Sequence, residues 1–498
     1  MNVNPITRLD YPDPDVIRVE DTYYMVSTTM HFMPGCEILQ SFDLVHWEHA
    51  TYVYETLDHT DAQQLKSGQN IYGQGMWAAS LRYHEGRFCI CFVANDTRKT
   101  YLYTSEKIDG PWKKQLIEGF YHDGSLLFDE DGRNYIVYGN DEIWITELNE
   151  DLTAPKKDGL HRLLVSDHKN PELGYEGSHI QKINGYYYIF LIHSLRDRWM
   201  RTEACFYSDS LEGEFTGGDV LCDDRGYCGQ GVAQGGIVDT PDGKWYAMLF
   251  QDSGAVGRIP ILVPVTWKDH FPVFGQNGHV PEEIEVHSTR PGYIYQPLVG
   301  SDDFCNGLLP RWQFNHDPDP RYYHLDALQG TYTITTREVC TELTQAVNTL
   351  TQRMSYPSCA AEVTVDASAL KEGDVAGLCA LQSCYAAVGI TKHHGKYEVL
   401  MLDKKEDGIL DMTERTVVES HQMDFRLEAD FCNMKDEARC YYRVNKGNWL
   451  PIGTVHKLYF KLDHFTGCRF GLFCYAAEET GGSACFRDFK YYDVDEIS

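Results

Sequence analysis

At 498 residues the chain exceeds the size of one hydrophobic core, so two or three domains are expected. A hydrophobic content of 43% with 13% aromatics excludes a disordered chain. A formal net charge of −30 argues against nucleic acid and anionic membrane surfaces as partners, and leaves a neutral substrate such as a sugar open.

The N-terminal stretch MNVNPITRLDYPDPD carries no basic-then-apolar leader. The greasiest run, Tyr186 to Ile192, has the length of a strand, not of a membrane span. Sixteen cysteines without an export signal read as reduced thiols, which points to a cytoplasmic location. No pair of CxxC motifs is present, so no structural zinc is expected.

From residue 13 the chain repeats one unit five times: DPDVIRVEDTYYMVST (13–28), AASLRYHEGRFCICFVAN (78–95), DGSLLFDEDGRNYIVYGN (123–140), EGSHIQKINGYYYIFLIHS (176–194) and QGGIVDTPDGKWYAMLFQD (234–252). Each has a small or polar start, an apolar pair, a turn and an aromatic-rich strand. Turns such as Glu85-Gly86, Asn184-Gly185 and Asp242-Gly243 mark β-hairpins. A recurring period in this range signals a β-propeller with one blade per repeat. The five copies begin with Asp13, Ala78, Asp123, Glu176 and Gln234. If these open the innermost strands, three carboxylates ring one end of the central channel. Buried like charges are costly unless something pairs or uses them.

Between the copies, Ser27 to Gly35 (STTMHFMPG) is too apolar for a free loop. With Met30 and Phe32 it either packs under the first blade or lines a pocket. Trp77 stands just before the second copy, at the channel mouth or in the core. Asp129-Glu130-Asp131 is a solvated turn without the spaced ligands of a calcium loop. Arg258, between glycines and an apolar strand, is expected to pair with the channel carboxylates. Residues 275–300 are rich in Gly, Pro and charge and read as a linker or closing segment. After Asp302 the unit is gone. Short alternating runs follow, among them Thr331 to Thr335, Ala360 to Val365, Tyr397 to Leu402, Leu458 to Leu462 and Phe470 to Tyr475, as in an all-β sandwich. The expected fold class is therefore all-β, with a propeller over 1–295 and a sandwich over 300–498.

With these residues in hand, the chain resembles glycoside hydrolase family 43, in the β-xylosidase and α-L-arabinofuranosidase branch that carries a C-terminal concanavalin-like β-sandwich. The resemblance rests on PDPDVIRVEDTYYMVST, HDGSLLFDEDGRNYIV, EGSHIQKINGYYYIF and QGGIVDTPDGKWYAMLFQD with GAVGRIPILVPVTW, and on WQFNHDPDPRYYHL and NTLTQRMSYPSCAAEV in the second domain. It implies a five-bladed propeller that cleaves terminal β-1,4-linked xylose from short oligosaccharides with inversion. Asp13 would be the base, Glu176 the general acid and Asp123 the residue that tunes the acid. Arg258, Trp77, Phe32, Met30 and Gln234 would contact the sugar. Some relatives hold a calcium ion in the channel. The chemistry needs no cofactor, and this sequence displays no ligand set for an ion. An α-L-arabinofuranosidase is the alternative within the family. A non-catalytic sugar-binding propeller would not need three acids on its axis. A retaining fructan-cleaving enzyme would carry NDPN and RDP sequences, which are absent.

Overall fold

The computed structural model describes residues 3–493, and each repeated stretch forms the inner strands of its own antiparallel sheet. Blade 1 comprises Asp15–Val19, Thr22–Ser27, Gly35–Ser41 and Glu48–Tyr54. Blade 2 begins at Ser80–His84, blade 3 at Ser125–Phe128 and blade 4 at Glu176–Ile183. Blade 5 has a split inner edge, Val232–Ala233 and Ile237–Asp239, followed by Trp245–Asp252, Arg258–Lys268 and Phe271–Phe274. Both central residues of Glu85-Gly86 and Asn184-Gly185 have positive φ, as tight primed hairpin turns require. Apolar layers fill the gaps between blades: Val26, Ile38 and Leu81 between the first two, Leu127, Ile145 and Ile189 between the third and fourth.

A ring of hydrogen bonds ties the inner strands together. Asp15 accepts the Leu81 N–H (2.7 Å), Ser80 accepts that of Leu126 (3.1 Å) and Ser125 that of Ile180 (3.0 Å). Gln181 donates to the Ile237 carbonyl (2.8 Å), and Arg18 pairs with Asp239 to link blade 1 with blade 5. Arg82 crosses the axis. It pairs with Asp15 of blade 1 (2.7 Å), donates to the Leu126 carbonyl and Ser125 hydroxyl of blade 3, and reaches the Ile180 carbonyl of blade 4. The N-terminal segment completes the circle: Ile6 and Tyr11 donate to the carbonyls of Pro260 and Arg258 in blade 5.

Residues 275–300 strap across blade 1, where Thr289 donates to the Phe42 carbonyl and Arg290 pairs with Asp21. Two antiparallel sheets follow and pack as a concanavalin-like sandwich. Its core includes Trp312, Tyr332, Phe425 and Phe486. The stretch Leu458 to Leu462, expected to be a strand, is instead a loop between Leu450–Lys457 and Arg469–Tyr475.

The two domains share a sheet. Phe32–Met33 of the propeller pairs with Gln313–Asn315 and becomes the edge strand of the eight-stranded sandwich sheet. Beside it, Arg353 of the sandwich forms a buried ion pair with Glu37 of blade 1 (2.9 Å). The rings of His31, Tyr72, His316 and His464 also meet at this seam, with His464 stacked on Tyr72 at 3.8 Å. Burial, aided by Lys404, holds the His464 pKa down at about 3. An unfolded histidine titrates near 6.5. Below that pH the unfolded chain gains a proton that the folded chain refuses, so this residue lowers stability as pH falls through 6.5.

Two outcomes are expected. Arg82→Met should cost about 3 kcal/mol in denaturant unfolding because the buried Asp15 loses its one Arg partner and keeps only His179 and the Leu81 N–H, with part recovered in Arg82→Met/Asp15→Asn. His464→Phe, which keeps the stacked ring, should lose less stability than the parent between pH 6.5 and 4.5, by roughly 1.4 kcal/mol per pH unit. Parallel stability–pH curves would remove His464 from the account.

Candidate active site

The inter-blade ring fixes which residues correspond. Asp15, Ser80 and Ser125 each accept from the next blade. Asp13, Ala78 and Asp123 therefore share the slot two residues earlier. In blade 4 this slot belongs to Gly177, not Glu176. Asp13, Asp123, Gly177 and Gln234 all have left-handed backbones, with φ of 53°, 48°, 64° and 62°. Glu176 lies one residue before the slot, where the pairing register shifts between Glu176 and His179. The expectation that all five copies begin at equivalent positions is corrected here. The bulge sends the glutamate carboxyl into the same mouth from an offset position. A side chain at 177 is disfavoured mainly by space, since a Cβ would stand 2.7 Å from the Gln234 side chain, and the left-handed backbone adds strain.

Asp13, Asp123 and Glu176 line one cavity of about 680 Å³ at this end of the channel, together with Trp77, Arg258 and Gln234. Their surroundings differ. Asp13 accepts from the Thr28 hydroxyl (2.6 Å) and is ion-paired to Arg258 (3.0 Å). Asp123 accepts the Gly177 N–H (3.0 Å). Burial above all, with the charges of Glu176 and Asp13 adding to it against the pull of His122, pushes the Asp123 carboxyl up to about 6. Glu176 accepts from the Asn140 amide (2.7 Å). His122 directs Nε2 between the two acids, 3.6 Å from Asp123 and 3.8 Å from Glu176. The Asp123 charge, foremost, raises the His122 imidazole to about 9 against the cost of burial.

The sandwich supplies the far wall. Phe465 lies over the Arg258 guanidinium at 4.2 Å and faces Trp77 at 5.5 Å. Leu458, Tyr459, Phe460 and Leu462 continue this wall. Asp10 holds it in place: one carboxylate oxygen accepts the Arg258 N–H (2.7 Å), the other the Gly467 N–H (2.8 Å). Blade 4 and blade 5 add Arg201, ion-paired with Asp252 at 2.7 Å. Behind Gln234, the buried Glu203 accepts its N–H (2.7 Å), and burial pushes that carboxyl well above the usual range.

Met30 and Phe32 do not line the cavity. Phe32 is consumed by the domain seam, where Arg469 covers its ring at 3.4 Å, and Met30 bridges Met76 beneath the blade. Of the two readings of the Met-His-Phe-Met cluster, packing holds. His122, Arg201, Asp252 and Phe465 were missed from sequence. His122 alone carried a local signal, standing directly before an axial aspartate. Among the described residues, His122, Asp123 and Glu176 form the one group of three metal-type donors within 4.8 Å of one another. All three line the cavity.

Gly177→Ala should test this arrangement. Forcing a Cβ against Gln234 displaces the neighbouring Glu176, and a shift of about 1 Å in a reacting group is worth on the order of 10²-fold in rate. The expected result is that loss in kcat, with an unfolding free energy reduced by only about 1–2 kcal/mol. A fully active Gly177→Ala protein would contradict the close packing described.

Comparison with known proteins agrees with this geometry. The family described as Glycosyl hydrolases family 43 matches residues 3–272, and the Beta xylosidase C-terminal Concanavalin A-like domain matches residues 301–492. The Beta-xylosidase of Formosa agariphila is 27% identical, across 99% of this chain and 89% of its own. The Xylosidase/arabinosidase of Butyrivibrio fibrisolvens is 24% identical across 99% of both chains. A solved structure of a bifunctional GH43-CE protein of Bacteroides eggerthii superposes with a TM-score of 0.92 at 42% identity over 99% of this chain, which spans 64% of that longer chain. With five blades, a pocket of three carboxylates and the accompanying sandwich, the chain belongs to glycosyl hydrolase family 43 and is a glycoside hydrolase.

Proposed function

We propose that the enzyme removes terminal β-1,4-linked xylose from xylo-oligosaccharides by single displacement with inversion. The observation that carries this reading is the unequal setting of three carboxylates in one cavity. One is locked to an arginine, one is raised by burial, and one projects from a bulge beside them. Glu176 donates its proton to the leaving oxygen as the C1–O bond breaks. Asp13, the anion of the Arg258 pair, takes a proton from the water whose oxygen bonds to C1 from the opposite face. Asp123 binds the Gly177 backbone and so fixes the residue next to the acid. In inverting enzymes the two working carboxyls stand about 6.5–9.5 Å apart to admit that water.

The roof from the sandwich supports action at a chain end, because Phe465 faces Trp77 across the cavity. Xylose and arabinofuranose present similar hydroxyls, and the Butyrivibrio fibrisolvens relative bears both names. Activity on an arabinofuranoside is therefore the second reading.

Glu176→Ala should lose about 10²–10⁴-fold in kcat/KM on xylobiose and much less on an aryl xyloside whose leaving group needs no proton. Asp13→Ala should lose activity on both. Proton NMR of the first-formed sugar should show the α anomer. Near-normal turnover of xylobiose by either variant would refute the assignment, and para-nitrophenyl xyloside against arabinofuranoside ranks the two substrates.

A further inference from the structure

Once the salt-linked pairs are set aside, one cluster of charges stands at the centre of the cavity, with Glu172 also on its lining. Asp13 is matched by Arg258, and Asp252 by Arg201. Asp123, Glu176 and His122 remain at the centre. His122 comes from the turn that opens blade 3, and its Nε2 is buried without a partner at hydrogen-bonding distance. It points between two carboxylates, at 3.6 and 3.8 Å. Trp77 of blade 2 presents a ring to it at 5.9 Å, Phe465 of the sandwich lies beyond that ring, and the Asp13 charge also acts on the imidazole. Asp436 also lines the cavity from the sandwich side, and burial raises its carboxyl to about 6. If the imidazole is charged and the two acids share one proton, the trio is neutral. A neutral imidazole between two carboxylates would instead leave two negative charges side by side in a mostly buried site, which is costly.

We propose that His122 is a positioning residue for the acid: its imidazolium, wedged between Asp123 and Glu176, offsets one carboxylate and sets the pH above which the acid proton is lost. This rests on the reading that Glu176 delivers the proton. An imidazolium near the pair favours its ionised form, so a neutral side chain at 122 makes the proton harder to remove. The high titration point of the imidazole agrees with the geometry.

The test is the pH dependence of kcat/KM on xylobiose for His122→Gln and His122→Lys. The glutamine variant should move the alkaline limb upward by about one unit or more, the usual effect of an opposite charge at this distance. The lysine variant, which restores a cation, should bring that limb back toward the parent. An unmoved or lowered limb in His122→Gln overturns the proposal. Should that variant fold poorly, imidazole NMR of the parent decides instead. The resonance that Asp123→Asn shifts should titrate well above 6.5, and a midpoint at or below 6.5 overturns the proposal. Failure here is distinct from failure of the acid assignment. A Glu176→Ala enzyme that is inactive on xylobiose, beside an unmoved His122→Gln profile, sinks only the role of His122.

Discussion

Five sheets of similar shape have no intrinsic reason to meet at one axis, and the hydrogen-bonded ring through Arg82 supplies it. A single guanidinium reaches three blades besides its own, and its charge is matched by the buried Asp15. Asp15 also accepts from His179 across the channel and from the backbone of blade 2. Burying such a pair is expensive, and its retention makes sense as a device of specificity that fixes the angular position of each blade. Because Asp13 and Asp123 stand two residues from ring members, whatever fixes the ring fixes the placement of these two carboxylates.

The mouth of the channel then differentiates chemically equal acids by their neighbours. An arginine beside one, an amide beside another and an imidazole between two create three carboxyl environments within a few ångströms. No change of residue type is required. The apolar roof strengthens these effects by excluding water, since electrostatic interactions grow as the local dielectric falls. The sandwich therefore contributes to the electrostatics of the site without supplying a charged reactant.

The parts of this arrangement readable in the sequence are those determined by neighbours along the chain. Asn184-Gly185 and Glu85-Gly86 declare their hairpins because few residue pairs accept two positive φ angles. The recurrence of these hairpins, and of an acid before them, gave the propeller and its three carboxylates. The one-residue offset at Glu176 was hidden because the bulge adds a residue without altering the motif. Phe465 was illegible for a different reason. Its place over Arg258 depends on a contact 207 residues away in sequence, and the apolar run beside it matched a strand equally well. Met30 and Phe32 show the same limit. An apolar cluster announces that something covers it, and only the docked second domain reveals what.

Asp10 and Gly467, joined by one hydrogen bond, lie 457 residues apart. The first turn of the propeller and nearly the last loop of the sandwich thus meet directly at the substrate pocket. The segment that covers Arg258 and Asp13 follows all five blades in chain order, so the pocket is complete only when that late segment has joined the first turn. Contacts of such long range are slow to form. A chain cut short before the sandwich would hold the three acids and lack the wall that closes the chamber around them.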